Sequence, residues 1–321
     1  MGAAQGLQGL QQRGQSLLPG AAALEVRFDG GHKRSEFVEK ELTRYFSFTP
    51  VCPEMAIGLG SPRKAIRLVK RDDIIHVEAS DGSFDVTDKL TAFSYQKTAE
   101  FDHLAGYILC AKSPSCGMER VRIYSSQGSA KEGTGVYARI LMEQNPLLPV
   151  EEDGRLCDPV LRENFVTRVF AYHDWLTLQH SGITRGKLIA FHSRYKYLLF
   201  AHQPSAYKSL GKLLGDAIDL PLETLAARYI SGLMQGLQQR VSRKNHSNVL
   251  QHLQGYFKKH LSPAQKAELQ TTIDKYRRGL LPLMSPMTLL QHYLREYPNP
   301  YLASQVYFNP HPEDLALRYS L

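Results

Sequence analysis

Cysteine is scarce in this chain, with four among 321 residues. That is too few for a disulfide scaffold. Long apolar runs are missing too: no window approaches the ~18 consecutive apolar residues that a membrane helix needs. The N-terminus lacks the basic stretch followed by an apolar stretch that marks export. The expected setting is therefore the cytoplasm, away from membranes, where sparse cysteines bind metal or stay as thiols. What is present is ordinary for a folded protein, with 43% hydrophobic and 22% charged residues. A single core stops growing at roughly 250–300 residues, so 321 residues imply two domains.

The net charge of +8 is unevenly placed. Residues 1–184 hold 21 Lys and Arg against 23 Asp and Glu, whereas residues 185–321 hold 18 against 8. The whole basic excess lies in the C-terminal part. Such an asymmetry suits a polyanion, because Lys and Arg displace counterions condensed on phosphates. A solubilising helical surface would have the same composition.

Residues 1–25 are rich in Gln, Gly, Ala and Leu without a clean period, and specify little. Apolar spacing predicts a helix over 34–46. Strands follow at Phe48–Cys52, Ile66–Val69 and Ile74–Glu78, then a helix over 87–103 with Asp85 or Thr87 as cap. A strand at Gly106–Cys110, a loop to Gly117, a strand at Val121–Tyr124 and a helix over Gly133–Asn145 complete the pattern. Strands alternating with helices predict an α/β domain over 26–150, Rossmann-like, its sheet mostly parallel with flanking helices. Three prolines and an acidic cluster mark Pro146–Pro159, and 151–184 is expected as linker and connecting helix. Beyond it, 185–321 predicts an all-α domain, with helices over 185–202, 205–217, 221–243, 245–260, 263–280 and 286–297. Pro204, Pro221, Pro263 and Pro286 stand near their starts. A proline- and aromatic-rich tail follows.

Three segments carry candidate chemistry. In FTPVCPEMAIGLGSP a strand delivers Cys52 into a loop with Glu54 two residues on, at the carboxyl strand end where open α/β sheets bind ligands. In YILCAKSPSCG a second strand runs into a loop with Ser113, Ser115 and Cys116. Two thiolates from neighbouring strand ends suit a metal or iron–sulfur cluster, although buried free cysteine is also a common core residue. In VRFDGGHKR, His32 and Lys33 follow two glycines just before a helix, which makes either an anion site or a plain basic turn.

Taken together, VRFDGGHK, VCPEMAIGLGSPR and GYILCAKSPSCG resemble, in order and spacing, the thiouracil desulfidase (TudS-like) family over roughly residues 26–145. LIAFHSRYKY and AYKSL are similar to the helical YbgA-like domain that often follows it. Proteins joining the two resemble bacterial desulfidases that convert 4-thiouridine in tRNA to uridine. The resemblance implies a 4Fe–4S cluster held by three cysteines, with Cys52 and Cys116 matching two of them. It implies that Glu54 and Ser113 handle protons and orient the thiocarbonyl, in a net hydrolysis that needs no electron donor. Its expected partner is tRNA or a thiolated nucleobase, and nothing calls for a protein partner.

One departure stands out. The family's first cysteine precedes the Val of VRFDGG by about six residues, where this chain has Gly20, and no cysteine comes before Cys52. Either a cluster ligand has been lost, or residues 1–25 come from a shifted reading frame or misplaced start, which their composition and the abrupt match from Glu25-Val26 favour. Cys110 as a third ligand is expected to point away, and Cys157 to be an ordinary thiol. In the helical domain, Lys196, Arg243, Lys244, Lys258 and Lys259 are the candidates for RNA phosphates, with His192, Arg194, Arg277 and Arg278 beside them. Tyr195, Tyr197, Phe200, Tyr207 and Tyr256 would either stack on bases or fill the core. The expected function is an iron–sulfur-dependent desulfidase of thiolated uracil in tRNA. Its rival is a cluster-less RNA-binding protein.

Overall fold

A computed structural model describes residues 4–10, 37–216 and 219–318. The chain divides into two units, Met1–Asp158 and Pro159–Leu321. The division falls inside the stretch 151–184 expected as linker and connecting helix.

The first unit contains β1 (Ala4–Leu10), β2 (Phe46–Val51), α1 (Pro53–Ala56), β3 (Ile66–Arg71), β4 (Ile74–Ala79), α2 (Thr87–Thr98), β5 (Leu104–Leu109), β6 (Val121–Ser125), β7 (Gly128–Gly133), α3 (Val136–Gln144) and β8 (Val150–Glu152). They form two four-stranded sheets, ordered β2-β1-β5-β8 and β4-β3-β6-β7. The expectation of a mostly parallel sheet is corrected here, since both sheets are mixed. Only β5–β8 and β3–β6 run parallel, while β1–β2, β1–β5, β3–β4 and β6–β7 are antiparallel. The reason is local. Two residues, Asp72 and Asp73, join β3 to β4, both at positive φ (47° and 63°), and a two-residue turn can only join antiparallel strands.

The predicted helix over 34–46 also gives way, within its described part, to a single π turn at Phe37–Glu41 and a 3-10 turn at Leu42–Arg44. That over 87–103 ends at Thr98, with a separate turn at Phe101–His103.

Every residue of β5 is buried, as befits a strand inside its sheet. A core forms where Ile66, Leu68 and Val77 of β3 and β4 meet Leu90 of α2 and Val136 and Ile140 of α3. Asn145 closes the helix pair by donating from Nδ2 to the Thr98 carbonyl at 3.2 Å.

The second unit is helical: α4 (Pro159–His180), α5 (Arg185–His202), α6 (Pro204–Asp216), α7 (Leu222–Gln238), α8 (Arg243–Tyr256), α9 (Pro263–Arg277), α10 (Met284–Glu296) and α11 (Pro300–Ala303). Thr184, Ser242 and Ser262 cap α5, α8 and α9 with their side-chain oxygens, satisfying amides that the first helical turn leaves unpaired. Trp175, Phe191 and Tyr229 form an edge-packed aromatic core. No helix among the described residues is long and apolar enough to cross a membrane.

Candidate active site

β2 ends at Val51 and delivers Cys52 as the residue preceding α1, with Pro53 and Glu54 in its first turn. β5 ends at Leu109, and the loop after it brings Ser113, Ser115 and Cys116 back against Glu54. That loop is tied to the start of α3. Val136 N–H donates to the Pro114 carbonyl, Ala138 N–H to that of Ser115, and Gly135 N–H to that of Gly117. Amides that a helix start leaves unpaired thus fix the cysteine loop.

Glycine is required at this junction. A Cβ on Gly135 would lie 2.4 Å from the Ser115 carbonyl oxygen, and one on Gly117 would lie 2.8 Å from that of Ser113. No side chain fits in those gaps.

At the centre stands Glu54, 3% exposed. Its Oε2 accepts from Arg63 Nε at 2.8 Å and its Oε1 from Ser115 Oγ at 2.6 Å. A serine has a single proton to give. With that of Ser115 directed at Glu54, Ser113 is the donor in the 2.9 Å contact between the two hydroxyls. Ser113 Oγ also accepts from the backbone N–H of Ser115 and of Cys116, at 3.2 and 3.0 Å, so its bonding capacity is full. The predicted Ser113 therefore reaches Glu54 through Ser115.

Arg63 also points Nη2 at Cys52 Sγ, 3.8 Å away, and Nη1 at the Gly60 carbonyl, 2.9 Å away. The backbone amides of Met55 and Glu54 donate to the Cys52 sulfur as well. Burial nonetheless wins and pushes the Cys52 thiol up from its ordinary 9.0. Cys116 is fully buried, and burial, then Cys110, then Glu54 push its thiol well up. Cys110, expected to point away, is thus within electrostatic reach of Cys116, as Cys52 is too. Cys157 is exposed.

Half-buried Cys52, together with the buried Cys110, Cys116 and Glu54, offers soft sulfur donors and a carboxylate within electrostatic reach of one another. Such a set suits a thiophilic iron centre, whose positive charge would offset the cost of forming thiolates there. The residues therefore fit an iron–sulfur cluster, which Cys52 and Cys116 would hold. The position matching the family's first cysteine, Gly20, lies outside the described residues, as do His32 and Lys33.

Two members of the site were missed in the sequence. Arg63 closes the GLGSPR string, nine residues beyond Glu54, and nothing in the sequence singles out Ser115 from Ser113. The signal was an arginine and a carboxylate inside one short, apolar, glycine-rich segment, where neither is stable unpaired.

In the helical unit, Lys196 Nζ lies over the rings of Tyr197 and Tyr301, at 5.4 and 4.8 Å. The exposed Arg243 covers Tyr276 at 5.5 Å. Lys244, Lys258 and Lys259 are exposed. Arg194 pairs with Asp174 at 3.1 Å. Tyr195 and Tyr197 are core residues, whereas Tyr256 is exposed and stacks on Tyr301 at 5.8 Å.

These features define a two-part protein, with a buried thiol–carboxylate–guanidinium site in a mixed α/β unit and a separate helical unit. A family model described as 2-thiouracil desulfurase matches residues 21–153, and a protein family of unknown function, DUF1722, matches 196–312. The chain is 35% identical over 159 residues to the uncharacterized protein YbgA of Escherichia coli (strain K12), covering 49% of this chain and 94% of that protein. No solved structure matches. The chain belongs to the family of YbgA, and it carries a 2-thiouracil desulfurase domain together with a DUF1722 domain.

Proposed function

We propose that this protein is an iron–sulfur-dependent desulfidase that replaces the sulfur of a thiolated uracil, 4-thiouridine in tRNA, by oxygen. The observation that carries this reading is Glu54, buried between Arg63 and Ser115 with Cys52 and Cys116 beside it.

The reaction is a hydrolysis. Water oxygen bonds to C4, the C4–S bond breaks, and sulfide leaves, with no net oxidation. A bound cluster, held by Cys52 and Cys116, would supply an iron to take up the leaving sulfur. The protein's own groups manage the proton. Glu54 is the base that takes it from water, and the Ser113–Ser115 pair, donating toward that carboxylate, fixes its position. Arg63 keeps Glu54 oriented while donating toward Cys52. In a folded RNA the thiouracil must leave its stack to enter so buried a place.

The excess of positive charge in residues 185–321 supports tRNA over a free base as substrate, because a free base needs no polycation. Lys244, Lys258 and Lys259, exposed on the helical unit, are the proposed phosphate contacts. The test is anaerobic reconstitution with iron and sulfide, followed by 4-thiouridine-bearing tRNA and free 4-thiouracil, scoring sulfide released. Sulfide from tRNA supports the reading. Tight tRNA binding with neither iron uptake nor sulfide release would favour the cluster-less binder.

A further inference from the structure

Beside the site just described lies a cavity of about 750 Å³. Besides Arg155, its cationic and aromatic lining includes Arg67, Lys112, Arg120, Arg122, Tyr124 and Lys131. The loop after β5 serves both places. Lys112 and Pro114 line the cavity, while Ser113 and Ser115, alternating with them, bond toward Glu54.

The charge in this cavity is poorly compensated. Of the acids on its wall, Glu152 accepts backbone amides from Met118 and Glu119, and Glu119 is paired at 2.6 Å with Arg155, itself held by Glu151. Among the described residues, Lys112, Arg120 and Lys131 have no ion-pair partner. Arg67 Nε is cut off from solvent with no hydrogen-bond partner, an expensive state for a guanidinium unless an acceptor comes to it. Its guanidinium lies 5.2 Å from the Tyr124 ring. Lys112 and Arg120 are both held in left-handed backbone, φ 64° and 55°, unfavourable for residues with a Cβ and typical of functional loops.

We propose that this cavity binds the phosphate of a nucleotide, with Arg67, Lys112, Arg122 and Lys131 supplying charge and donors and Tyr124 an aromatic face for the sugar or base. The proposal rests on the reading that the reacting uracil is carried on a nucleotide. It adds a second anchoring point, within the α/β unit itself, one residue along the loop from Ser113 and Ser115. Arginine suits the task because its planar fork matches phosphate geometry.

The test is calorimetric titration of the full-length protein with uridine 5′-monophosphate, uridine, inorganic phosphate and a short oligouridylate. Two variants accompany it, Arg67→Gln and the double change Arg122→Gln with Lys131→Gln, their folding checked by circular dichroism. Uridine 5′-monophosphate should bind at least about tenfold more tightly than uridine, and each variant should remove about tenfold of that affinity, as expected for losing a hydrogen bond to a charged group. Uridine binding should not change. An oligouridylate much tighter than the mononucleotide would identify an RNA chain as the source of the phosphate, and equal affinities a free nucleotide; either upholds the site.

Uridine binding as tightly as its monophosphate, inorganic phosphate binding as tightly as the nucleotide, or unchanged variants would overturn it. Failure of the desulfidase reading looks different: nucleotide binding and its loss in the variants would persist, with no sulfide released from any thiolated uracil. Conversely, sulfide release from free 4-thiouracil without nucleotide binding would remove the cavity proposal and leave the chemistry.

Discussion

Arg63 donates from Nε to Glu54 Oε2 at 2.8 Å, and both side chains are almost wholly out of solvent. A carboxylate buried without a partner is costly, and Arg63 supplies that partner. The cost of breaking this pair depends on which half is removed.

Arg63→Met should destabilise the α/β unit by about 3–5 kcal/mol, because it leaves a buried carboxylate uncompensated. Adding Glu54→Gln to that variant should restore part of the loss, since the remaining group is no longer charged. Urea titration of the two single variants and the double variant measures the coupling. Strictly additive losses would mean that the two residues act independently.

Gly135→Ala should cost about 1–3 kcal/mol, the usual penalty for forcing extra volume into a packed place, because its Cβ would strike the Ser115 carbonyl. The displaced loop should also hold iron less well. Gly215→Ala in α6 is the control, because its Cβ meets nothing within 4 Å. That change should instead stabilise, by roughly 0.5–1 kcal/mol. Thermal melts and iron content of both proteins decide the matter.

Glu163 governs the acid limit of the helical unit. Burial alone would raise its pKa, but His311, 3.8 Å away, and Arg318, at 3.2 Å, outweigh burial and hold the carboxyl well below its ordinary 4.5. Below about pH 4.5 the unfolded chain then binds the extra proton and the folded one does not. The stability this group contributes is complete above that pH and is lost as the pH falls. Glu163→Gln should lower stability at pH 7 by about 3–5 kcal/mol, leaving Arg318 buried without its partner. It should also flatten the slope of stability against pH on the acid side. An unchanged slope would assign acid unfolding to other groups.

Much of the architecture was legible from local pattern. The helix predicted over 185–202 is α5 to the residue, because Thr184 caps it and Pro204 follows closely. Three strands have no signature in the sequence: β1 lies in the Gln- and Gly-rich stretch 1–25, which has no clean period, and β7 and β8 are hidden for opposite reasons. β7 is polar, glycine-flanked and exposed along most of its length, so it offers no apolar alternation. β8 carries Glu151 and Glu152, which look like solvated linker charge. Both are buried because one meets Arg155 and the other accepts two backbone amides.

The candidate site followed the same division. Cys52, Glu54 and Cys116 stand in recognisable strings, whereas the role of Arg63 depends on a turn that folds it back over nine residues. Ser115 and Ser113 are two apart in one loop, and no spacing reveals which of them touches the carboxylate. In the helical unit, Tyr195 and Tyr197 turned out to be core, the usual fate of aromatics at helical spacing.

The measurement that tests the central claim most directly is sulfide released from 4-thiouridine-bearing tRNA by the full-length protein after anaerobic reconstitution with iron and sulfide, beside Glu54→Gln treated identically. The account predicts one sulfide for each thiouridine lost in the native protein. It predicts a fall of about 100-fold or more in the variant at similar iron content, as expected for removing a general base. Iron-loaded native protein that releases no sulfide, or a variant that works as well, would contradict it.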